Sequence, residues 1–293
     1  MHAHRARLPN GRWHFQHGPI DIVIGAEGDA ATVAAAHEAA WARFETVLAE
    51  LVDELPSLRA PVRDRCSLHG PVARRMWQAC APFAAQFITP MAAVAGSVAQ
   101  ELIGCYERDG VARAWVNNGG DIALHLASGS SVKVGLYTDL ARFDPADGAP
   151  RLDGDFVVRA AMPVRGIATS GWRGRSFSLG VADSVTVLAR SAAMADAAAT
   201  VIANAVNIDH ADIERRPANE LKDDSDLGAI EVTVGVPALS ADQVLRALRS
   251  GERHARELQR AGLIHSALLV CQHRCVGVEA PAVAVRELGS VLA

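Results

Sequence analysis

The stretch that decides how this chain folds is SAAMADAAATVIANAVN, residues 191–207. Ala, Val and Ile dominate it, and Asp196 is its only ionisable side chain. A helix that is apolar on every side is a buried helix. On it Asp196, Thr200, Asn204 and Asn207 follow one another at spacings of four, four and three, so they share one polar stripe. A carboxylate buried there costs on the order of several kcal/mol unless a cation, a donor or a ligand compensates it. The residues alone leave two readings open. Oxygen donors from Asp196 and Thr200 suit a hard cation such as magnesium or calcium. Alternatively, the Asp196 carboxylate caps a neighbouring loop by accepting from backbone N–H groups.

Outward from this helix, on both sides, the texture is β. ARAWV, DIALHLA, SVKVGLYTD, FVVRAAMP and SVTVLAR precede it, AIEVTVGV and HSALLV follow it, and all are short and rich in β-branched or aromatic residues. Asn-Gly, Asp-Gly and Gly-Ser turn signals lie between them. A late helix is expected over 241–261. Nearer the N-terminus, residues 12–27 read as two β segments around Gly18-Pro19. Asp29 can cap a long Ala-rich helix reaching Leu55, along which Val33, Ala36, Ala40, Phe44, Val47, Leu48 and Leu51 recur at helical spacing. Two more helices are expected over 71–87 and 90–108, after a polar connector over 56–71. FDPADGAPRLDGD, residues 143–155, is the clearest surface loop. Helices and strands do not alternate regularly. The class is therefore α+β, a largely antiparallel sheet with packed helices, not a doubly wound parallel sheet. No linker divides the chain, so residues 1–293 are expected as one domain.

Two glycine-bearing segments are candidates for ligand contact. In WVNNGGDIALHL, residues 115–126, Asn-Gly between β runs signals a hairpin, and a plain turn is a sufficient account. The adjacent Gly119 and Gly120, with Asn118 and Asp121 beside them, would also let the backbone approach a ligand and aim N–H groups at phosphate. In GIATSGWRGRSFSLG, residues 166–180, Thr169, Ser170, Ser176 and Ser178 lie among four glycines. This reads as an anion- or nucleotide-contacting loop, or as a solvated one, and it lacks a phosphate-loop lysine. Two other groupings point to surface structure. Cys271, His273 and Cys275 alternate, but zinc wants a fourth ligand that no nearby Cys/His pair supplies, so 272–274 is read as a hairpin turn without metal. Arg59, Arg63, Arg65, Arg74 and Arg75, with the acidic Asp64 among them, read as solvated surface.

Composition narrows the partners. The chain has 293 residues, half of them hydrophobic, and a formal net charge of −4. A chain of this length buries enough surface to fold without disulfides. Its five cysteines, an odd number, fit reduced thiols in a cytoplasmic protein. With no basic block or aromatic-rich basic stripe in the sequence, nucleic acid is not an expected partner. The basic N-terminus lacks the apolar region of a secretory signal, and no apolar run reaches the roughly 18 residues of a membrane span. The Ala-rich helix over 30–55 could serve a homodimer interface.

Together these segments resemble the ApbE-like superfamily, which includes the FAD:protein FMN transferases. The carriers are Gly119-Gly120-Asp121 after a strand, Thr169-Ser170-Gly171, and Asp196 with Thr200 on a helix, in that order. The match is closest to an uncharacterised archaeal and bacterial branch, through Ser176 to Gly180, Ala182 to Val185, Ala195 to Thr200 and the PMAAVAG of residues 90–96. The likeness covers roughly residues 12–285. It implies two lobes around a ligand cleft, with FAD or FMN as ligand. It also implies that Asp196 and Thr200 hold a magnesium ion on the pyrophosphate, and that Asn118–Asp121 and Thr169–Gly171 line the nucleotide pocket. In one respect the chain departs from the transferases. Ala95 and Ser97 stand where they carry Lys and Tyr around the shared glycine, and no His follows the Thr-Ser-Gly element. The expected activity is therefore flavin or nucleotide binding, with transferase or hydrolase chemistry, or a non-catalytic small-molecule-binding or structural role as the alternative.

Overall fold

The computed structural model describes residues 2–136, 154–174 and 176–279, so the loop expected over 143–155 lies almost wholly outside the described residues. In chain order the strands and helices of the first half are β1 (His4–Arg7), β2 (Trp13–His17), β3 (Ile20–Gly28), α1 (Ala30–Asp53), α2 (Leu55–Leu58), α3 (Pro71–Cys80), α4 (Val94–Ile103), β4 (Val111–Asn118) and β5 (Asp121–Leu126). There follow β6 (Ser131–Leu136), β7 (Gly154–Arg159), β8 (Gly166–Ser170), β9 (Ser184–Ala189) and α5 (Ala192–Ala205). The chain goes on through β10 (Glu214–Pro217), α6 (Ala218–Leu221), β11 (Glu231–Gly235), α7 (Ala241–Arg260), β12 (Ser266–Cys271) and β13 (Arg274–Val278). Two compact units result, one of residues 1–130, 163–168 and 188–197, the other of 131–162, 169–187 and 198–293.

In the first unit the strands run β1-β2-β3-β4-β5 in an antiparallel meander, and β5 pairs with the start of β8 through Ile122↔Ile167 and Ala123↔Gly166. Period-two alternation buries Phe15, Ile22, Ile24, Ala114 and Val116 on one face. Helix α1 supplies the opposing stripe of Ala36, Ala40, Phe44, Val47 and Leu51. As the sequence suggests, Asp29 caps it, accepting from the Thr32 N–H at 2.8 Å. Phe15 meets the edge of Trp41 with ring centres 5.1 Å apart. Val98, Leu102 and Tyr106 close the core from the α4 side.

The helices expected over 71–87 and 90–108 are shorter than that. The first is α-helical only to Cys80, where a 3-10 turn (Ala81–Phe83) takes over around Pro82, a residue without an N–H to continue the ladder. The second opens on a 3-10 turn at Pro90–Ala93 and closes on another at Gly104–Tyr106. Arg75, read as solvated, is also corrected: it is partly buried, and it donates to Glu101 at 2.7 Å and to the Ser97 carbonyl at 3.3 Å.

In the second unit β8, β9, β12 and β13 follow one another as neighbours, while β6-β7 and β10-β11 form separate antiparallel ribbons. Helix α7 packs on β12 and β13, and a capping box of Ser240 and Gln243 starts it. The hairpin expected at 272–274 is present as a two-residue turn, with Cys271 opposite Arg274. Among the described residues no helix is long and apolar enough to cross a membrane.

Candidate functional site

Helix α5 owes its position to small residues. Ala192, Ala193, Ala195, Ala197, Ala198 and Ala199 are buried, as are Val201, Ile202 and Ala203. Ser191 begins it, its hydroxyl accepting from the Met194 N–H at 3.3 Å, and Gln100 of α4 accepts from the Ala193 N–H at 3.2 Å. Two glycines of the first unit let backbone approach this end. A Cβ on Gly166 would collide with the Ser191–Ala192 peptide, and one on Gly96 with the Ala192 carbonyl and the Asp196 Cβ.

That close approach gives Asp196 its partner. Its Oδ2 accepts from the Gly96 N–H at 2.9 Å. Ala95 and Gly96 are the second and third residues of α4, whose N-cap, Ala93, offers no side-chain acceptor. Asp196 therefore caps α4 from another helix, the backbone-capping arrangement that the sequence left open. The residue as a whole keeps some exposed surface, but its carboxyl is enclosed. Burial first, and then the neighbouring Asp121 carboxyl, push the Asp196 carboxyl well above the ordinary carboxylate range, while the Gly96 and Ala95 N–H groups pull the other way.

The β4–β5 turn brings the other candidates of the first unit to the same place. Gly119 and Gly120 form its two-residue loop at φ +66° and +113°, conformations that glycine adopts without steric cost. The Gly120 N–H donates to Asn117 Oδ1 at 2.8 Å, closing the turn. Asn118 is buried and donates through Nδ2 to the Ala95 carbonyl at 3.1 Å, so the turn is tied to the start of α4. Asp121 is buried beside it, 8% exposed. Asn118, Asp121, the Ala95–Gly96 backbone and Asp196 thus form one cluster.

The remaining candidates lie in the second unit. Thr169 and Ser170, expected in a loop, sit on β8; only Gly171 lies beyond the strand. In the sheet β8 lies between β5 and β9; β5 pairs only with its start, at Gly166 and Ile167, and Thr169 and Ser170 continue beyond that pairing. Thr169 Oγ1 lies 2.9 Å from Thr186 Oγ1. The lower half of the polar stripe is structural. Asn204 Oδ1 accepts from the Leu179 N–H at 2.9 Å and from the Ser178 hydroxyl at 3.2 Å. Asn207 donates to the Leu179 carbonyl and accepts from Arg215, both at 2.9 Å. Thr200 differs: it is half-buried and its hydroxyl has no hydrogen-bond partner among the described residues. The positioning role of Gln100 was not anticipated; Gly96 was the sequence signal that a backbone must come close there.

A family model described as AbpE bacteria matches residues 5–280. A UPF0280 protein of Methanosarcina acetivorans is 32% identical over 198 residues, 67% of this chain and 72% of that protein. UPF0280 proteins of Methanospirillum hungatei and Methanosphaerula palustris are 38% and 39% identical over 122 and 140 residues. Those matches cover 41% and 47% of this chain and 46% and 54% of theirs, so the chain spans about half the length of these two relatives. Among solved structures, the ApbE protein of Thermotoga maritima aligns at a TM-score of 0.49 and 12% identity, covering 95% of this chain and 97% of its own. The apo flavinyl transferase ApbE of Pseudomonas stutzeri aligns at 0.45 and 13%, covering 95% and 94%.

Proposed function

This chain belongs to the AbpE bacteria family, within the ApbE-like superfamily, and from that premise we propose that it binds a flavin or related nucleotide together with a divalent cation. The observation that carries this reading is the cluster at the start of α4. Two carboxylates, Asp121 and Asp196, stand close enough to repel each other, and no basic side chain is among the influences on Asp196. A divalent cation held beside Asp196 would relieve that repulsion.

Asp196 and Thr200 offer oxygen donors of the kind a hard cation takes, although among the described residues no group of three or more His, Cys, Asp or Glu side chains gathers around a metal position. A carboxylate offers about four lone-pair directions, so the hydrogen bond from Gly96 leaves Asp196 room to ligate. Thr200 stands one turn further along α5 with its hydroxyl available. Magnesium is held by a few protein oxygens, with phosphate oxygens and water completing its shell. When bound, it would neutralise pyrophosphate charge and fix that group in place. On this reading Asn118–Asp121 and Thr169–Gly171 offer backbone N–H groups and small side chains to the nucleotide. Transfer of the flavin onto a partner is not assigned, because Ala95 and Ser97 replace the lysine and tyrosine that the resemblance associates with transfer. A second reading, that Asp196 serves the fold alone, is favoured by its hydrogen bond to α4.

The visible absorbance spectrum of the purified protein, then thermal melts with and without FAD and magnesium, test the proposal. A cation-dependent rise in melting temperature, absent from Asp196→Asn, supports it. At a hundredfold excess over the dissociation constant, that rise corresponds to about 2.7 kcal/mol. No ligand-dependent shift in the parent protein, with a drop of about 1–3 kcal/mol in the variant under every condition, would establish the purely structural reading for these ligands.

A further inference from the structure

Helix α7 buries Val244, Ala247, Leu248, Gly251, Ala255 and Leu258 along one face. Its opposite face is a basic ridge. At about 100° per residue, Arg246, Arg249, Arg253, Arg256 and Arg260 fall within a sector about 80° wide. At a rise of about 1.5 Å per residue, the first and last stand about 21 Å apart along the axis. All five are exposed. Arg256 pairs with Glu252 at 2.7 Å, and Arg260 donates to the Arg256 carbonyl at 3.2 Å. Arg246, Arg249 and Arg253 form no ion pair among the described residues.

We propose that this ridge is a docking surface for an acidic segment of a partner protein. The sector contains no apolar or aromatic side chain, so it has nothing to insert into a bilayer and nothing on which unpaired bases could stack. Asp242 of the first turn falls within the sector, four residues before Arg246, Glu252 and Glu257 flank it on either side, and the chain as a whole is acidic at −4. Those flanking carboxylates repel a uniformly charged phosphate backbone. A protein segment can meet both signs, setting carboxylates against the arginines and basic groups against the rim. The alternating spacing of three and four also matches the spacing of carboxylates along one face of an acidic helix, which lets each guanidinium meet a carboxylate in register.

The test uses the full chain and a fluorescein-labelled helical peptide carrying Glu at alternating three- and four-residue spacing, followed by anisotropy at low and at physiological salt. The comparison is R246A/R249A/R253A, whose alanines favour helix, so circular dichroism should be unchanged. The expected result is peptide binding that weakens with salt and weakens by roughly tenfold in the triple variant. Absence of peptide binding, or equal binding by the variant, overturns the docking surface. Tighter binding of a DNA duplex or of phosphatidylserine vesicles, lost in the same variant, overturns the choice of an acidic protein as its occupant.

Discussion

Gly96 shows how much depends on one absent methyl group. A Cβ there would run into the Ala192 carbonyl and come within 2.9 Å of the Asp196 Cβ, and both neighbours belong to a packed helix start that has little room to retreat. Gly96→Ala should therefore cost about 1–3 kcal/mol, the range for overpacking, read from urea unfolding midpoints at an unchanged slope. A cost near zero would mean that α4 can withdraw from α5, and the Asp196 cap would then be dispensable. A paired prediction concerns the turn at Gln272 and His273, two non-glycine residues at φ +42° and +66°. The Gln272 side chain is bound at both ends, accepting from the Leu239 N–H at 2.9 Å and donating to the Pro237 carbonyl at 2.6 Å. His273 is exposed at the tip. Replacing His273 with glycine should stabilise the protein by about 0.5–1 kcal/mol, because a left-handed backbone costs a side-chain-bearing residue about 1–2 kcal/mol. Gln272→Gly should destabilise it through the two lost hydrogen bonds. Equal effects in thermal melts would refute the division of labour between the two positions.

Between elements, the fold is tied by a charge network more than by any one pair. Glu101 of α4 accepts from Arg43 of α1 and Arg75 of α3, both at 2.7 Å, and Arg43 also grips Glu50 at 2.6 Å. Burial, the largest single influence on Glu101, pushes its carboxyl up, but the two arginines together hold it below the ordinary carboxylate range. A depressed carboxyl contributes stability above its unfolded pKa and loses it as pH falls through the folded value. Glu101→Gln should thus cost on the order of 1–3 kcal/mol at neutral pH, and the gap between variant and parent should narrow in acid below about pH 4. A gap that stays constant across that range would show that the cost comes from packing. Helices whose pattern is local were legible: the α5 run is apolar all round, and Asp29 precedes α1 where a cap belongs. The β4–β5 turn was legible because Asn118-Gly119 states its own backbone geometry. Elements defined by distant partners were not. Thr169 and Ser170 look like loop residues until β8 takes its place between β5 and β9 in the sheet. Asn204 and Asn207 look like part of a ligand stripe until residues 178–180 fold back onto them. The arginines of α7 look scattered until the helical turn brings every third and fourth residue to one side.

On the scale of the whole molecule, the question is whether two compact units mean two independent folding domains. The chain passes between the units five times, at 130–131, 162–163, 168–169, 187–188 and 197–198. Three of those crossings fall inside regular structure: within β8, within β9 and within α5. Helix α5 leaves six of its fourteen residues with the first unit and eight with the second. Isolated helices shorter than about 12–15 residues are marginal in water, so neither share would persist once the other had melted. The same holds for a strand whose hydrogen bonds are divided between two units. We therefore expect one cooperative unfolding transition. Scanning calorimetry should give a calorimetric enthalpy equal to the van't Hoff enthalpy, with fluorescence and circular dichroism tracing the same curve. Tryptophan fluorescence is a fair probe of the first unit, because Trp13, Trp41, Trp77 and Trp115 belong to it and only Trp172 to the second. If fluorescence melted well before the circular dichroism signal, or the enthalpies differed about twofold, the single-domain reading would fail. The shared α5 would then have to be stable with only one of its two ends packed.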